Sequence, residues 1–349
     1  MEDHDLKTPL HLGALALSLS LSAATAGADT AGVRFSQLDA PHHGKAMEVA
    51  VWFPADEQDT SGRTIVVAEN PVFHGVDALE NAAMAAGRHP VVVLSHGWGG
   101  SMRSLAWLSA GLAQRGAIVV GVNHPNSTWG DFDPAKGIKH WSRVHDLGVA
   151  LDWVVSHRDF ATQVDANLLM AVGFSYGGWT ALSMGGMRGN HAQTIAACKR
   201  LGDALVFCDT LLSDAHGLPL VAPAAWDADY KDARITHVAA IDPGLIWGLD
   251  ADDAAALEPQ VRLIGLGDGA NRLPDTDFDA SGLANLLPDA RITRLVPAFH
   301  FTALPLCKPA GEEILRSEGD DPVCSDPSGA NRAAVHQQII DIIARDLGL

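Results

Sequence analysis

The chain has 349 residues, 47% hydrophobic and 19% charged, a balance that supports a sizeable core and excludes disordered, collagen-like and coiled-coil classes. Its 42 acidic residues against 24 Lys and Arg give a formal charge of −18 at pH 7, which makes nucleic acid a poor partner. No basic run offers a contact for an anionic surface.

The apolar stretch Leu10–Leu21 (LHLGALALSLSL) runs into the small residues Ala24-Thr25-Ala26. Residues 1–26 are therefore expected to be a secretory leader, with a periplasmic or secreted domain over 27–349. A hydrocarbon core takes about 20 residues to cross, so so short a stretch is not expected to anchor the chain stably in a membrane.

Beyond the leader, extended and helical signals alternate. Strands are predicted over Met47–Phe53, Pro90–Ser95, Ile118–Asn123, Leu168–Phe174, Ile235–Ile241, Val261–Gly267 and Arg291–Leu295. Most are unbroken apolar runs, the mark of strands buried on both faces of a parallel sheet. Helices are predicted over Ser104–Arg115, which stops at Gly116, over Ser142–Ser156, with Val144, Leu147, Leu151, Val154 and Val155 on one stripe, and over Arg332–Leu347. The alternation predicts an α/β fold, a mostly parallel doubly wound sheet. Residues 189–234 break the rhythm and are expected to be an inserted, cap-like segment over the sheet's carboxyl edge.

Four cysteines allow three pairings. The sequence-local one, Cys198 with Cys208 and Cys307 with Cys324, is expected, because each pair brackets a Pro-, Gly- or polar-rich stretch that a bridge could pin. No C-x-x-C or tight His/Cys cluster suggests zinc.

The chemistry is concentrated at strand ends. Gly173-Phe174-Ser175-Tyr176-Gly177 follows one predicted strand and opens a helix-like run, the strand–turn–helix context in which G-x-S-x-G presents a nucleophilic serine, here Ser175. Ser95-His96-Gly97-Trp98-Gly99-Gly100 follows another strand. An acyl-transfer oxyanion needs two fixed backbone N–H donors, and Trp98 and Tyr176 are the candidates. A serine hydroxyl also needs a base. Of sixteen histidines, His300 alone combines a late position with a loop beyond a predicted strand, whereas structural roles suit His96, His124 and His336. Its acid partner is Asp242 or Asp268, each at a strand end. Asp250, Asp252 and Asp253 look like a solvated helix start.

The segments VAVWFPA, GRHPVVVLSHGWGG, VVGVNHPNSTWGD and GFSYGGWTAL, with the late histidine, resemble the bacterial relatives of platelet-activating-factor acetylhydrolase, often labelled predicted dienelactone hydrolases. The resemblance covers roughly residues 45–190 and 235–349. It implies an α/β-hydrolase fold, a Ser-His-Asp triad, no metal or cofactor, and hydrolysis of carboxylic esters. The resemblance puts the acid at Asp242, and Pro243-Gly244 behind it favours a fixed turn over the glycine-flanked Asp268. A serine nucleophile departs from true dienelactone hydrolase, which uses cysteine. The cysteine pair followed by DPSGANRAAVH resembles exported members. Trp98, Tyr176, Trp179 and Trp247 are expected to give the site an aromatic rim suited to neutral apolar esters, with amides, lactones and polyesters as the alternative substrates. A small-molecule ester is the expected partner, and a monomer the expected state.

Overall fold

Apolar runs such as Pro90–Ser95 need cover on both faces, and a ten-stranded sheet between two hydrophobic layers provides it. The computed structural model describes Met1, residues 30–59 and residues 61–349. The expected leader, Leu10–Leu21 with its Ala24-Thr25-Ala26 site, lies outside the described residues.

The strands are β1 (Ala31–Ala40), β2 (Lys45–Pro54), β3 (Arg63–Val67), β4 (Val76–Glu80), β5 (His89–Ser95), β6 (Ile118–Val122), β7 (Val164–Phe174), β8 (His237–Ile241), β9 (Gln260–Leu266) and β10 (Arg291–Leu295). Across the sheet they run β10-β9-β8-β7-β5-β6-β2-β1-β4-β3. Neighbours from β10 to β6 are parallel, while β2 is antiparallel to both β6 and β1. The seven predicted strands are all present. Strands β1, β3 and β4 were not expected and extend the sheet at one side.

The winding reverses between β5 and β7, where Ser95 pairs with Gly173. Both chains leave the sheet there at their carboxyl ends, in the crevice where open α/β sheets hold ligands. Side chains alternate between the layers: Val91 and Val93 face one, Val92 and Leu94 the other. The first layer is covered by helices α1 (His140–Ser156) and α2 (Tyr176–Met184), and Val144, Leu147, Leu151 and Val154 of the predicted stripe are buried in it. The second is covered by Ala106–Gln114 and Arg332–Asp346.

Both expected disulfides are present, Cys198–Cys208 and Cys307–Cys324, closing loops with sequence separations of 10 and 17. Loops that short contribute about 2–3 kcal/mol each by restricting the unfolded chain. The first bridge lies inside residues 189–234, which form helix Asn190-capped His191–Leu201 and several short turns. This segment is no loose surface excursion: Cys198, Leu205, Cys208, Leu211, Leu218 and Trp226 are buried in the same layer as α1 and α2. Among the described residues no helix is long and apolar enough to cross a membrane.

Candidate active site

Ser175 sits at the turn from β7 into α2 with φ 57° and ψ −121°, a region that costs a non-glycine residue about 1–3 kcal/mol and persists only where its surroundings hold it. The restraints are visible. Ser175 N–H donates to Ile241 O (2.9 Å), and Ser175 O accepts from Gly178 (2.9 Å) and Gly244 (3.0 Å). Glycines are needed at 173 and 177 because a Cβ on the first would run into the Gly177 carbonyl, and on the second into the Ser95 carbonyl.

His300 opens a turn just after β10, with Nε2 3.1 Å from Ser175 Oγ and Nδ1 2.6 Å from Asp242 Oδ2. The Phe174 ring stacks on the imidazole at 4.6 Å. Asp242, at the end of β8, is fully buried and fully bonded: Oδ2 also accepts from Thr276 Oγ1 (2.8 Å), and Oδ1 accepts from Leu266 N–H (2.9 Å) and from the Arg272 guanidinium. Burial alone would raise its pKa. The His300 hydrogen bond and charge, then the Arg272 cation and the Leu266 N–H, outweigh burial and hold the carboxyl below the usual aspartate range. Asp268 is exposed at the head of the turn Gly269–Asn271, and no bond joins it to His300 among the described residues. Of the two candidate acids, the fold brings only Asp242 to the histidine.

The loop after β5 passes directly over the serine: a Cβ on Gly97 would lie 3.3 Å from that of Ser175. The Gly97 carbonyl accepts from Gly100 N–H (3.1 Å) and His96 Nδ1–H (2.7 Å), which fixes the peptide whose N–H belongs to Trp98. Among the described residues no protein acceptor takes the backbone N–H of Trp98 or Tyr176. Behind this loop lies buried Arg143. It donates to Ser95 Oγ (3.2 Å), Ser127 Oγ (2.6 Å), Thr180 Oγ1 (3.2 Å) and the His96 carbonyl, and its guanidinium stands 4.7 Å over the Tyr176 ring. Burial pulls Arg143 down to about 10, so it stays charged at neutral pH.

His124 and His336 take structural places. His124 accepts from Ser95 Oγ (2.8 Å) and donates to Asp146 (2.9 Å), while His336 donates to Thr302 O (2.9 Å) and stacks on Trp107. Burial first, and for His124 the nearby Arg143 charge, pull His124 down to about 3 and His140 and His336 to about 4. All three are neutral when folded but take up a proton near pH 6.5 when unfolded. Unfolding thus binds protons as pH falls below that value, and stability is lost in the acid direction. Between pH 7 and pH 5 the loss is expected to reach about 2 kcal/mol per histidine. Urea midpoints measured at the two pH values check this, and equal midpoints would refute it.

His42, His43 and Asp146 bring potential metal-ligand atoms within 4.8 Å of one another. Hydrogen bonding already accounts for the group. Both His42 Nε2 (2.7 Å) and His43 Nε2 (3.0 Å) meet Asp146 Oδ1, and Asn126 Nδ2 donates to His43 Nδ1 (3.2 Å), which leaves Nε2 of His43 as the protonated nitrogen.

Of the expected rim, Trp247 is half-buried and donates to Pro274 O (2.9 Å), next to Asp275. Two expectations need correction. Trp179 lines no rim, since it lies wholly inside the core, edge-on to the His140 ring. Asp253 is not solvated: it is buried and accepts from Asn190 Nδ2 (3.0 Å) and Asp250 N–H (2.9 Å). The wall beside Trp98 is instead made by Phe132 (ring centroids 5.0 Å), Tyr176 (5.3 Å) and Phe207 (5.3 Å). Arg272, Thr276, Phe132 and Phe207 escaped sequence reading, because each acts on a partner far along the chain and lies in no recognisable pattern.

No family model matches the chain, and no curated protein matches it. Solved structures do. A ferulic acid esterase from Streptomyces cinnamoneus superposes with a TM-score of 0.53 at 17% identity, covering 90% of this chain and 88% of its own. A dienelactone hydrolase-like promiscuous phosphotriesterase from metagenomic libraries gives 0.51 at 15% identity, covering 90% and 99%. With the reversal between β5 and β7, the strained serine turn and the mostly parallel sheet, these likenesses show that the chain has the α/β-hydrolase fold.

Proposed function

We propose that the protein is a serine hydrolase that cleaves neutral, apolar carboxylic esters through an acyl-enzyme intermediate. The observation that carries this reading is the unbroken bond sequence Ser175 Oγ, His300 and Asp242 beside two unengaged backbone N–H groups. Ser175 Oγ attacks the ester carbonyl carbon while His300 Nε2 takes its proton. The carbonyl oxygen becomes an anion between the Trp98 and Tyr176 N–H groups. Collapse breaks the bond to the alcohol oxygen, which leaves with the proton held by His300. Water then attacks the acyl carbon, giving a proton to His300; collapse breaks the bond to Ser175 Oγ, which takes that proton back, and the acid departs. Asp242 keeps the proton of neutral His300 on Nδ1 and stabilises the imidazolium at each step.

The two structural neighbours are named for cleavage of ester bonds, one in a carboxylate and one in a phosphate, which supports hydrolysis at this site. The aromatic wall and the −18 charge favour neutral substrates over anionic ones. A monomeric state is part of the proposal, as is export, which the leader-like N-terminus and the two disulfides support. The test is a turnover panel of p-nitrophenyl esters, aryl amides and polyester films, run with a fluorophosphonate label. Labelling at Ser175 with turnover of the neutral esters is the expected result. Absence of labelling, or turnover of amides alone, would overturn it.

A further inference from the structure

The tip of segment 189–234 reaches the candidate active site from the side. Phe207 immediately precedes the bridged Cys208, and its ring stands edge-on to Trp98 at 5.3 Å and 6.3 Å from Tyr176. Those are the two residues whose N–H groups flank Ser175. The tip is tied down on its other side as well. Val206 N–H (3.0 Å) and Phe207 N–H (2.8 Å) each donate to one oxygen of the Asp275 carboxylate. Asp275 is followed by Thr276, whose hydroxyl bonds Asp242. One short stretch of chain therefore spans the site, touching the oxyanion side through a ring and the acid side through a carboxylate.

Around buried Leu205 the tip is open: Gly202, Asp203, Ala204 and Val206 are exposed, so the Leu205 side chain, the bridge and the Asp275 bonds together limit the positions Phe207 can sample. A bridge on one flank and two charge-assisted bonds on the other remove that freedom before substrate arrives, which is how a binding wall gains affinity without new contacts. Phe132, from the short hairpin Ser127–Thr128 with Asp131–Phe132, also meets the Trp98 indole edge-on at 5.0 Å. Rings that meet an indole edge-on leave faces and edges that favour another aromatic group over an alkyl chain.

We infer that Phe207 is a specificity-determining residue that selects esters carrying an aromatic ring, and that Asp275 is the residue that positions it. This rests on the serine-hydrolase reading above. The experiment compares kcat/KM for ethyl acetate, phenyl acetate and ethyl 3-phenylpropanoate, followed by acid release. The proteins are the wild type, Phe207→Ala, Phe207→Tyr and Asp275→Ala, each checked for fluorophosphonate labelling at Ser175. Phe207→Ala is expected to lower the preference for at least one aromatic ester over ethyl acetate by about tenfold, mainly through KM. Phe207→Tyr should retain the preference, and Asp275→Ala should lower it in the same direction. An equal loss on all three esters, or an unchanged preference in Phe207→Ala, overturns the assignment of Phe207. A full preference in Asp275→Ala overturns the anchoring role. Failure of wild-type labelling instead condemns the catalytic reading, so the two failures are told apart.

Discussion

Ser175→Ala is expected to lower ester turnover by about 10⁴-fold or more while leaving the protein folded. The substitution removes a hydroxyl and keeps Cβ, so the backbone strain at φ 57° is the same in both variants and the bonds to Ile241, Gly178 and Gly244 involve only main-chain atoms. His300 loses only the group from which it would take a proton. What remains is the pair of N–H donors, which can still polarise a bound carbonyl for attack by water and so sets a residual rate above background. Turnover of a p-nitrophenyl ester, circular dichroism and fluorophosphonate labelling together check the result. A variant that still turns over at a tenth of the wild-type rate would remove Ser175 from the mechanism.

Asp242→Asn is expected to cost roughly 10⁴-fold, and Asp268→Asn almost nothing. The size of the first effect follows from what already surrounds the carboxylate. Leu266 N–H and Arg272 both donate to Oδ1, so an asparagine would turn its carbonyl oxygen to them. Its NH₂ would then face His300 Nδ1, which could only accept. That puts the imidazole proton on Nε2, pointing at Ser175, and a nitrogen already protonated there takes no proton from the serine. Asp268 is exposed and bonds neither His300 nor Asp242. Kinetics on both variants decide the matter, and a crippled Asp268→Asn beside a healthy Asp242→Asn would reverse the assignment.

The parts legible in the sequence are those with a local signature. β5 to β9 carry apolar runs, and the serine turn carries its glycines within two residues on either side. β1 was missed because AGVRFSQLDA alternates only in part. It pairs with β2 across a tight turn of the chain, and Phe35 at its middle is exposed. β3 and β4 are short and half-covered, so their burial follows from pairing and not from composition. The same distinction holds at the site. From the sequence the acid could be narrowed only to two strand ends, Asp242 and Asp268, and which of them meets the turn at His300 depends on how the strands are placed side by side. Arg272 shows the limit. Its partner is 30 residues away, and nothing in GDGANRLPDT marks a guanidinium that will lie against a buried carboxylate.

The outermost strands of the sheet, β3 and β10, leave backbone donors and acceptors open along two free borders, where a further strand from another chain could add. Both borders are guarded by guanidinium groups. Arg63 on β3 is held by Glu80, while on β10 Arg291 pairs with Asp346 (3.0 Å) and Arg294 bonds Asp279 (2.9 Å). An incoming strand would have to desolvate these charges or pull them from their partners, even beside the exposed Val66. Charges so placed make the addition of a further strand along either border less favourable than along a bare apolar edge.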